Sequence, residues 1–342
     1  MQTTTQASGI YPVLPNDDYH NDLAIGASGL KLLAKTPAHY WAHYLDPDRE
    51  CIDKKAWRIG RAWHCQVFEP GSFEDRYAGN HDAHPAKKCA VLLRQVLDAA
   101  DPVAEVARLV AMPEGLSATS KEGKALAAEI EGQGKQPVAD DDLDFVLTWG
   151  PKLVGKDILP AADITRVQKM AAIARGLPIS QVVFGKYAAI GHAEVSMFTV
   201  DPDTSARIKV RPDYMLQPCV DFPNGLIIDG KSTTDASDEG FARQVWNLDY
   251  GLQAALYTAV YRRVMGTAGR PAFLWLAQEK DAPYAARYYA AGADLIEYWD
   301  RRIPTLLRLF VDCQQRNEWP GYPTNVGTLE MPAWAQKSMG VA

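Results

Sequence analysis

The chain lacks any apolar run long enough to span a bilayer, and it lacks a charged-then-apolar amino terminus of the signal-peptide kind. A soluble, cytoplasmic protein is therefore expected, with no membrane partner. Its five cysteines (Cys51, Cys65, Cys89, Cys219 and Cys313) are scattered and include no CxxC pair. That pattern argues against a disulfide framework and against a cysteine-ligated zinc or iron–sulfur site. Cationic excess is missing too: the net charge is −6, so a hold on nucleic acid requires basic residues gathered locally. Internal repeats and low-complexity tracts are absent. What remains is globular in character, with 47% hydrophobic, 10% aromatic and 23% charged residues in a chain of 342.

Residues 1–22 are polar and without periodicity, and read as a loose amino-terminal arm. Ser28 is a candidate N-cap for a helix carrying Leu30, Leu32 and Leu33. Thr36-Pro37 reads as an N-cap with proline at the first helical position, opening a helix through Tyr44. Further helices are expected at 54–68, 87–110, 121–131 and 163–175. The acidic run Asp140–Asp142 fits a solvated loop or helix start better than a metal site. From residue 190 the pattern turns to strands: His192–Val200 and Ala206–Tyr214 alternate around the turn Asp201-Pro-Asp-Thr204 and predict a hairpin. Gly225–Lys231 reads as a buried central strand, followed by a helix over 241–266, strands at 271–279 and 284–291, and a helix over 293–317.

Charged groups sit where such strands end. Asp229 and Lys231 share one strand face, because side chains alternate. On the preceding strand Arg207, Lys209, Arg211 and Asp213 share a face, so a basic row runs up to a carboxylate and could carry DNA phosphates. An isolated Asp-x-Lys is most often a surface ion pair. Here Leu226-Ile227-Ile228 marks the strand as buried on both faces, where ionic groups are costly unless paired or functional. Two carboxylates can hold a Mg²⁺, with Mn²⁺ as substitute, and the lysine can orient or help deprotonate a water and offset transition-state charge. His64 lies on the helix after Gly60, while Gln253 and Tyr257, four apart, share a helix face. Taken singly, these would be a packing histidine and an amphipathic helix edge.

Six segments carry a family likeness: Ser28-Gly-Leu-Lys-Leu-Leu33, Thr36-Pro-Ala-His-Tyr40, Arg58-Ile-Gly-Arg-Ala-Trp-His64, Lys209-Val-Arg-Pro-Asp213, Ile228-Asp-Gly-Lys-Ser-Thr233 and Tyr250-Gly-Leu-Gln-Ala-Ala-Leu-Tyr257. With Trp319-Pro-Gly-Tyr322, they make the chain resemble the PD-(D/E)xK nuclease superfamily, and within it the exodeoxyribonuclease VIII (RecE-like) carboxy-terminal nuclease of phage and prophage origin. The resemblance implies an α/β fold with a restriction-endonuclease-like core, a mixed central sheet flanked by helices. It implies one nuclease domain over 23–342, mainly helical over 23–180 and with the sheet core over 190–342. It also implies a Mg²⁺-dependent exonuclease that degrades duplex DNA from 5′ to 3′, releases 5′-mononucleotides and leaves 3′ tails for recombination. Double-stranded DNA ends, a homo-oligomeric ring and a single-strand annealing protein are the implied partners.

By carry-over His64, Asp213, Asp229 and the Gly230 carbonyl would be metal ligands, Lys231 the catalytic lysine, and Gln253 and Tyr257 supports of the site. Glu194 resembles an acidic position in related nucleases. Arg58 and Arg61 are candidates for a 5′-phosphate through their nearness to His64. The segment 132–157 looks longer than the family pattern. A structure-specific or 3′-acting nuclease, and a non-catalytic DNA-binding subunit on the same fold, are the alternative readings.

Overall fold

The computed structural model describes residues 5–49, 55–80 and 156–331. The helices expected at 87–110 and 121–131, the acidic run Asp140–Asp142, most of the 132–157 segment, and Cys51 and Cys89 lie outside the described residues. In chain order the elements are β1 (Gly9–Tyr11), α1 (Asn16–Asn21), α2 (Ala27–Lys35), α3 (Pro37–Tyr44), α4 (Lys55–Phe68), β2 (Tyr77–Asn80), β3 (Asp157–Pro160) and α5 (Ala161–Gly176). There follow β4 (Gly191–Ala193), β5 (Ser196–Val200), β6 (Arg207–Val210), β7 (Tyr214–Leu216), β8 (Leu226–Thr233), α6 (Asp238–Asn247), α7 (Tyr250–Met265), β9 (Ala272–Glu279), β10 (Ala286–Ala290) and α8 (Ala293–Arg316).

The core is a mixed sheet in the order β10-β9-β8-β7-β4, in which β8 and β9 run parallel and the other pairs antiparallel. Side-chain alternation along β8 divides the interior in two. Ile227 faces a core built with α2, α6, α7 and α8, while Leu226 and Ile228 face one built with α4 and α5. This is the expected α/β fold, a mixed sheet between helical layers. Thr36 caps α3 as expected, accepting from the His39 N–H, with Pro37 at the first position. The helix α2 starts at Ala27 after Gly26, so Ser28 lies inside it and is not its cap. Cys65, Cys219 and Cys313 are free thiols. Among the described residues no helix is long and apolar enough to cross a membrane.

Each of the two strands expected for the hairpin is broken, and its halves join different sheets. β4 pairs with β7 in the main sheet, whereas β5 pairs with β6 on one side and β1 on the other in a separate sheet of three. The first break falls at Glu194, a non-glycine residue with φ 53° in the left-handed region. The second is Arg211-Pro212-Asp213, where proline cannot donate to a ladder. The helix expected over 241–266 is likewise two helices, parted at Asp249 with φ 50°.

The loose arm is a further correction. Gly9–Tyr11 forms a strand on β5, and Ile25 forms an isolated bridge to Ile208, so the arm covers both edges of the small sheet. Tyr19 is buried with Phe198. The basic row holds the arm in place. Lys209 donates to the carbonyls of Tyr19 at 2.6 Å and Asp22 at 2.8 Å, and Arg207 to the Asp22 carboxylate at 2.9 Å and the Gln6 carbonyl at 2.7 Å. Arg211 donates to Ser196 Oγ, Asn16 Oδ1 and the Leu14 carbonyl. The parity expected for Arg207, Lys209 and Arg211 thus gathers them on one face, but that face holds the chain's own amino-terminal segment and is no open track for phosphates. The sequence pattern misses this because the arm is ordered by backbone pairing and buried cations, and carries no apolar period.

Asp22 is the anion of this clasp, with no exposed side-chain surface. Burial alone would raise its pKa, but hydrogen bonds from Arg207 and from the Gln6 and Ala24 N–H groups, with the Arg207 charge, hold it below the usual 3.8. Asp22→Asn should cost on the order of 2 kcal/mol, the scale of hydrogen bonds to a charged group, and should speed amide exchange over β1 and at Ile25. The depressed pKa sets the sign with pH: the gap between wild type and variant is full above about pH 4 and closes as pH falls through the folded pKa. Urea unfolding at pH 7 and pH 3 with equal gaps, or unchanged exchange in the arm, would contradict this.

Candidate active site

The site forms where two neighbouring strands part. β7 pairs with β8 only through Leu226–Ile228, while β8 runs on to Thr233 along β9. Beyond Ile228 the β7-facing edge of β8 has lost its ladder partner, and the Gly230 N–H donates instead to Asp213 Oδ2 at 2.6 Å. Asp213 thus stands at the mouth of the fork, beside the face that carries Asp229 and Lys231.

Glycine at 230 has a steric cause as well. On the far face of β8 a Cβ at this position would meet the rings of Trp63 and Phe68 at 3.0 Å. Both rings belong to α4. Trp63 is fully buried and donates its indole N–H to Gln278 Oε1 at 2.6 Å, and Gln278 in turn donates to the Met170 and Tyr284 carbonyls. This lock presses α4 against the sheet and sets His64, whose Nδ1 lies 3.2 Å from Asp213 Oδ2. From the opposite layer, α7 brings Gln253, whose Nε2 donates to Asp229 Oδ1 at 2.5 Å, and the buried Tyr257. Lys231 is ion-paired with Asp229 Oδ2 and sits over the ring of Tyr250, with its Nζ 4.7 Å from the centroid. Glu194 completes the rim: its N–H donates to the Asp213 carbonyl at 3.2 Å. With Tyr257, it lines a cavity of about 430 Å³ beneath α1–α3.

The site therefore brings together His64 from α4, Glu194 and Asp213 from the breaks in the hairpin strands, Asp229, Gly230 and Lys231 from β8, and Gln253 and Tyr257 from α7. It does not include Arg207 and Lys209, which serve the arm; Arg211 also lines the cavity while donating to the arm. Arg58 and Arg61 lie on α4, and Arg61 stands 3.9 Å from Asp157.

Burial and mutual charge dominate the electrostatics. Burial disfavours the Asp213 carboxylate, but His64, Lys231 and the Gly230 N–H outweigh it and hold its pKa low; Asp213 in turn raises that of His64 against burial. Asp229 is raised, first by burial and then by Asp213, against the pull of Lys231. Burial would lower Lys231, but Asp229 and Asp213 more than offset it, so its ammonium is favoured. Glu194 is pushed up to about 8 by burial and by the neighbouring Asp213 charge.

A crowd of carboxylates that resist joint ionisation, with an imidazole beside them, is the donor chemistry of a hard divalent cation. The buried Asp229 Oδ2 has the Lys231 ammonium as its close partner. These observations fit Mg²⁺ or Mn²⁺. As the side chains stand, no three His, Cys, Asp or Glu among the described residues form a metal-binding cluster. Asp213 is turned to His64 and the Gly230 N–H, and Asp229 to Gln253 and Lys231, so the expected ligands are gathered but each is held by a local partner.

Sequence reasoning passed over Lys31. It projects from α2 with its ammonium 4.9 Å from the Tyr250 centroid, the ring that Lys231 also covers. Burial first, and then the Lys231 charge, lower its pKa to about 8. The available signal was a lysine set among Leu30, Leu32 and Leu33.

A family model described as "PDDEXK-like domain of unknown function" (DUF3799) matches residues 153–331, just over half of the chain. The match includes Glu194, Asp213, Asp229, Lys231, Gln253 and Tyr257 but not α2 or α4. No curated protein matches the sequence. Among solved structures, one described as "Putative exonuclease" from Eubacterium rectale is similar at 15% identity and TM-score 0.48, with 92% of this chain and 96% of that chain covered. Another, described as SSO0001, is similar at 12% identity and TM-score 0.28, covering 68% of this chain and 88% of that one.

Gly230→Ala tests the steric link between the fork and α4. A methyl group pressed between β8 and two fixed rings should cost about 1–3 kcal/mol, the usual range for overpacking. Thermal and denaturant unfolding read the cost, and a variant as stable as wild type would show that α4 does not press on this strand.

Proposed function

The chain belongs to the PDDEXK-like family, and from that membership and the geometry of the fork we propose that it is a divalent-metal-dependent nuclease acting on DNA. The observation that carries the reading is the convergence of Asp213, Asp229, Lys231 and His64 at the parting of β7 and β8. In this reading Asp213, Asp229 and His64, with the Gly230 carbonyl, hold Mg²⁺. When bound, Mg²⁺ supplies charge neutralisation for the phosphodiester and a water of lowered pKa.

The chain's own groups do the rest. Lys231, kept as an ammonium by Asp229, offsets negative charge on the phosphate oxygens and orients the water. Gln253 fixes the Asp229 carboxylate through one oxygen, while the other is paired with Lys231. Glu194, neutral near pH 7 through burial, adds no further negative charge where phosphate must approach. Tyr257 packs behind Gln253 on the same helix face and limits water on that side.

The finer reading is a 5′-to-3′ exonuclease on double-stranded DNA ends that releases 5′-mononucleotides, leaves 3′ tails for recombination, and acts as one nuclease domain over 23–342 in a homo-oligomeric ring with a single-strand annealing protein. It is supported by the RecE-like resemblance of the motifs around Ser28, Thr36, His64, Asp213, Lys231 and Gln253. Arg58, or Arg61 once it leaves Asp157, is the candidate for holding a terminal 5′-phosphate, as a guanidinium fork suits that group.

Digestion of linear duplex labelled at either end tests both levels. Wild type should degrade it with Mg²⁺ and not with EDTA, from the 5′ end and faster with a 5′-phosphate than a 5′-hydroxyl. Asp229→Asn and Lys231→Ala should each lose on the order of 10²–10⁴-fold in rate. Full activity in either variant would sink the site. Loss of label order from the 3′ end would keep the nuclease and reverse its polarity.

A further inference from the structure

We propose that Lys31 forms a phosphate-binding subsite of this centre, taking the non-bridging oxygens of a DNA backbone phosphate on the α2 side of Lys231; this rests on the nucleic-acid reading above. Matching cations to partners singles Lys31 out. Lys209 has backbone carbonyls, Arg207 has Asp22, Arg211 has Ser196 and Asn16, and Lys231 has Asp229. Lys31 is half-buried and makes no hydrogen bond or ion pair among the described residues; its ammonium lies over the face of Tyr250, with the Asp229 and Asp249 charges favouring it from farther off.

Half-burial strips this side chain of part of its water, and a lysine ammonium has three donors that the protein here leaves to solvent or to a ligand. Its placement is fixed all the same. Leu30 and Leu33 on either side are fully buried, and Gly29 brings α2 against Tyr40, where a Cβ would lie 3.0 Å from the ring. Tyr250 is held too, accepting from Gln244 Nε2 at 3.3 Å, and Gln244 accepts from Thr233 at the end of β8.

Lys31 and Lys231 therefore reach the same ring from two separate elements, α2 and β8, both held in place. Two like charges brought together repel, and burial worsens the repulsion. An anion between or beside them reverses the sign of that interaction. In a centre already crowded with carboxylates, the anion that gains is one delivered with the substrate. A phosphodiester has accessible non-bridging oxygens and fits this demand.

The test separates a ligand role from a structural one and from the nuclease reading. Full-length wild type, Lys31→Gln and Lys31→Arg are titrated with fluorescent linear duplex in EDTA over a range of KCl, with thermal unfolding in parallel. Lys31→Gln is expected to bind several-fold more weakly. Its slope of log affinity against log salt should be shallower by about 1, as for one lost phosphate contact. Its melting temperature should equal or exceed that of wild type, and Lys31→Arg should recover the binding. Unchanged affinity and slope in Lys31→Gln overturn the proposal even if wild type cleaves DNA. A fall in melting temperature that accounts for the lost binding, with no recovery in Lys31→Arg, overturns it as well. If wild type binds but never cleaves with any divalent ion, the nuclease reading fails while a shallower slope still upholds the phosphate subsite. A wild type that binds no duplex ends both.

Discussion

One unpaired backbone group organises the rest of this molecule: the Gly230 N–H, left without a strand partner where β7 and β8 part. A buried amide cannot stay unsatisfied, and the Asp213 carboxylate meets it at 2.6 Å. That bond places a carboxylate next to Asp229 in a region with little water to dilute their repulsion. His64 and Lys231 then become necessary counter-charges, since a carboxylate pair buried without them would not ionise. The parting of the strands is thus the structural cause of the charge cluster.

Around this fork the chain uses buried and half-buried cations in two different ways. In the small sheet Lys209, Arg207 and Arg211 are matched to carbonyls, a carboxylate and a hydroxyl, and their role is to close the amino-terminal segment over both sheet edges. At the fork Lys231 and Lys31 converge on Tyr250, and of the two only Lys231 is ion-paired. Satisfied groups give the first region rigidity, while at the second the Lys31 ammonium has no hydrogen-bonded partner among the described residues. The same residue type is matched to close acceptors in one place and left without a contact partner in the other.

Much of this was legible in the sequence. Leu226-Ile227-Ile228 announced a strand buried on both faces, and the polar groups after it could not be idle. The cap at Thr36, the turn at Asp201–Thr204, and the helices carrying His64 and Gln253 followed from local rules. What escaped were features that no local period encodes. The left-handed kink at Glu194 is imposed by the chain passing from one sheet to another, and a glutamate gives no hint of it. Pro212 did mark a break, but alternation continued through it and made one strand of two. The basic row had the right parity and the wrong partner, because its anions and carbonyls lie almost two hundred residues away along the chain. Lys31 escaped because its contact with Tyr250 is made only in the tertiary fold.

The central claim is that the fork gathers Asp213 and Asp229 to hold one divalent cation, and it is most directly tested by where that cation sits. Crystals of the protein grown with Mn²⁺, measured for anomalous scattering, should show one strong peak at about 2.1–2.2 Å from carboxylate oxygens of both residues, a hard-cation bonding distance. Asp213→Asn should remove the peak while the sheet stays intact. A peak elsewhere, or none at saturating Mn²⁺ in well-ordered crystals, would contradict the account and leave the charged cluster as a structural device only.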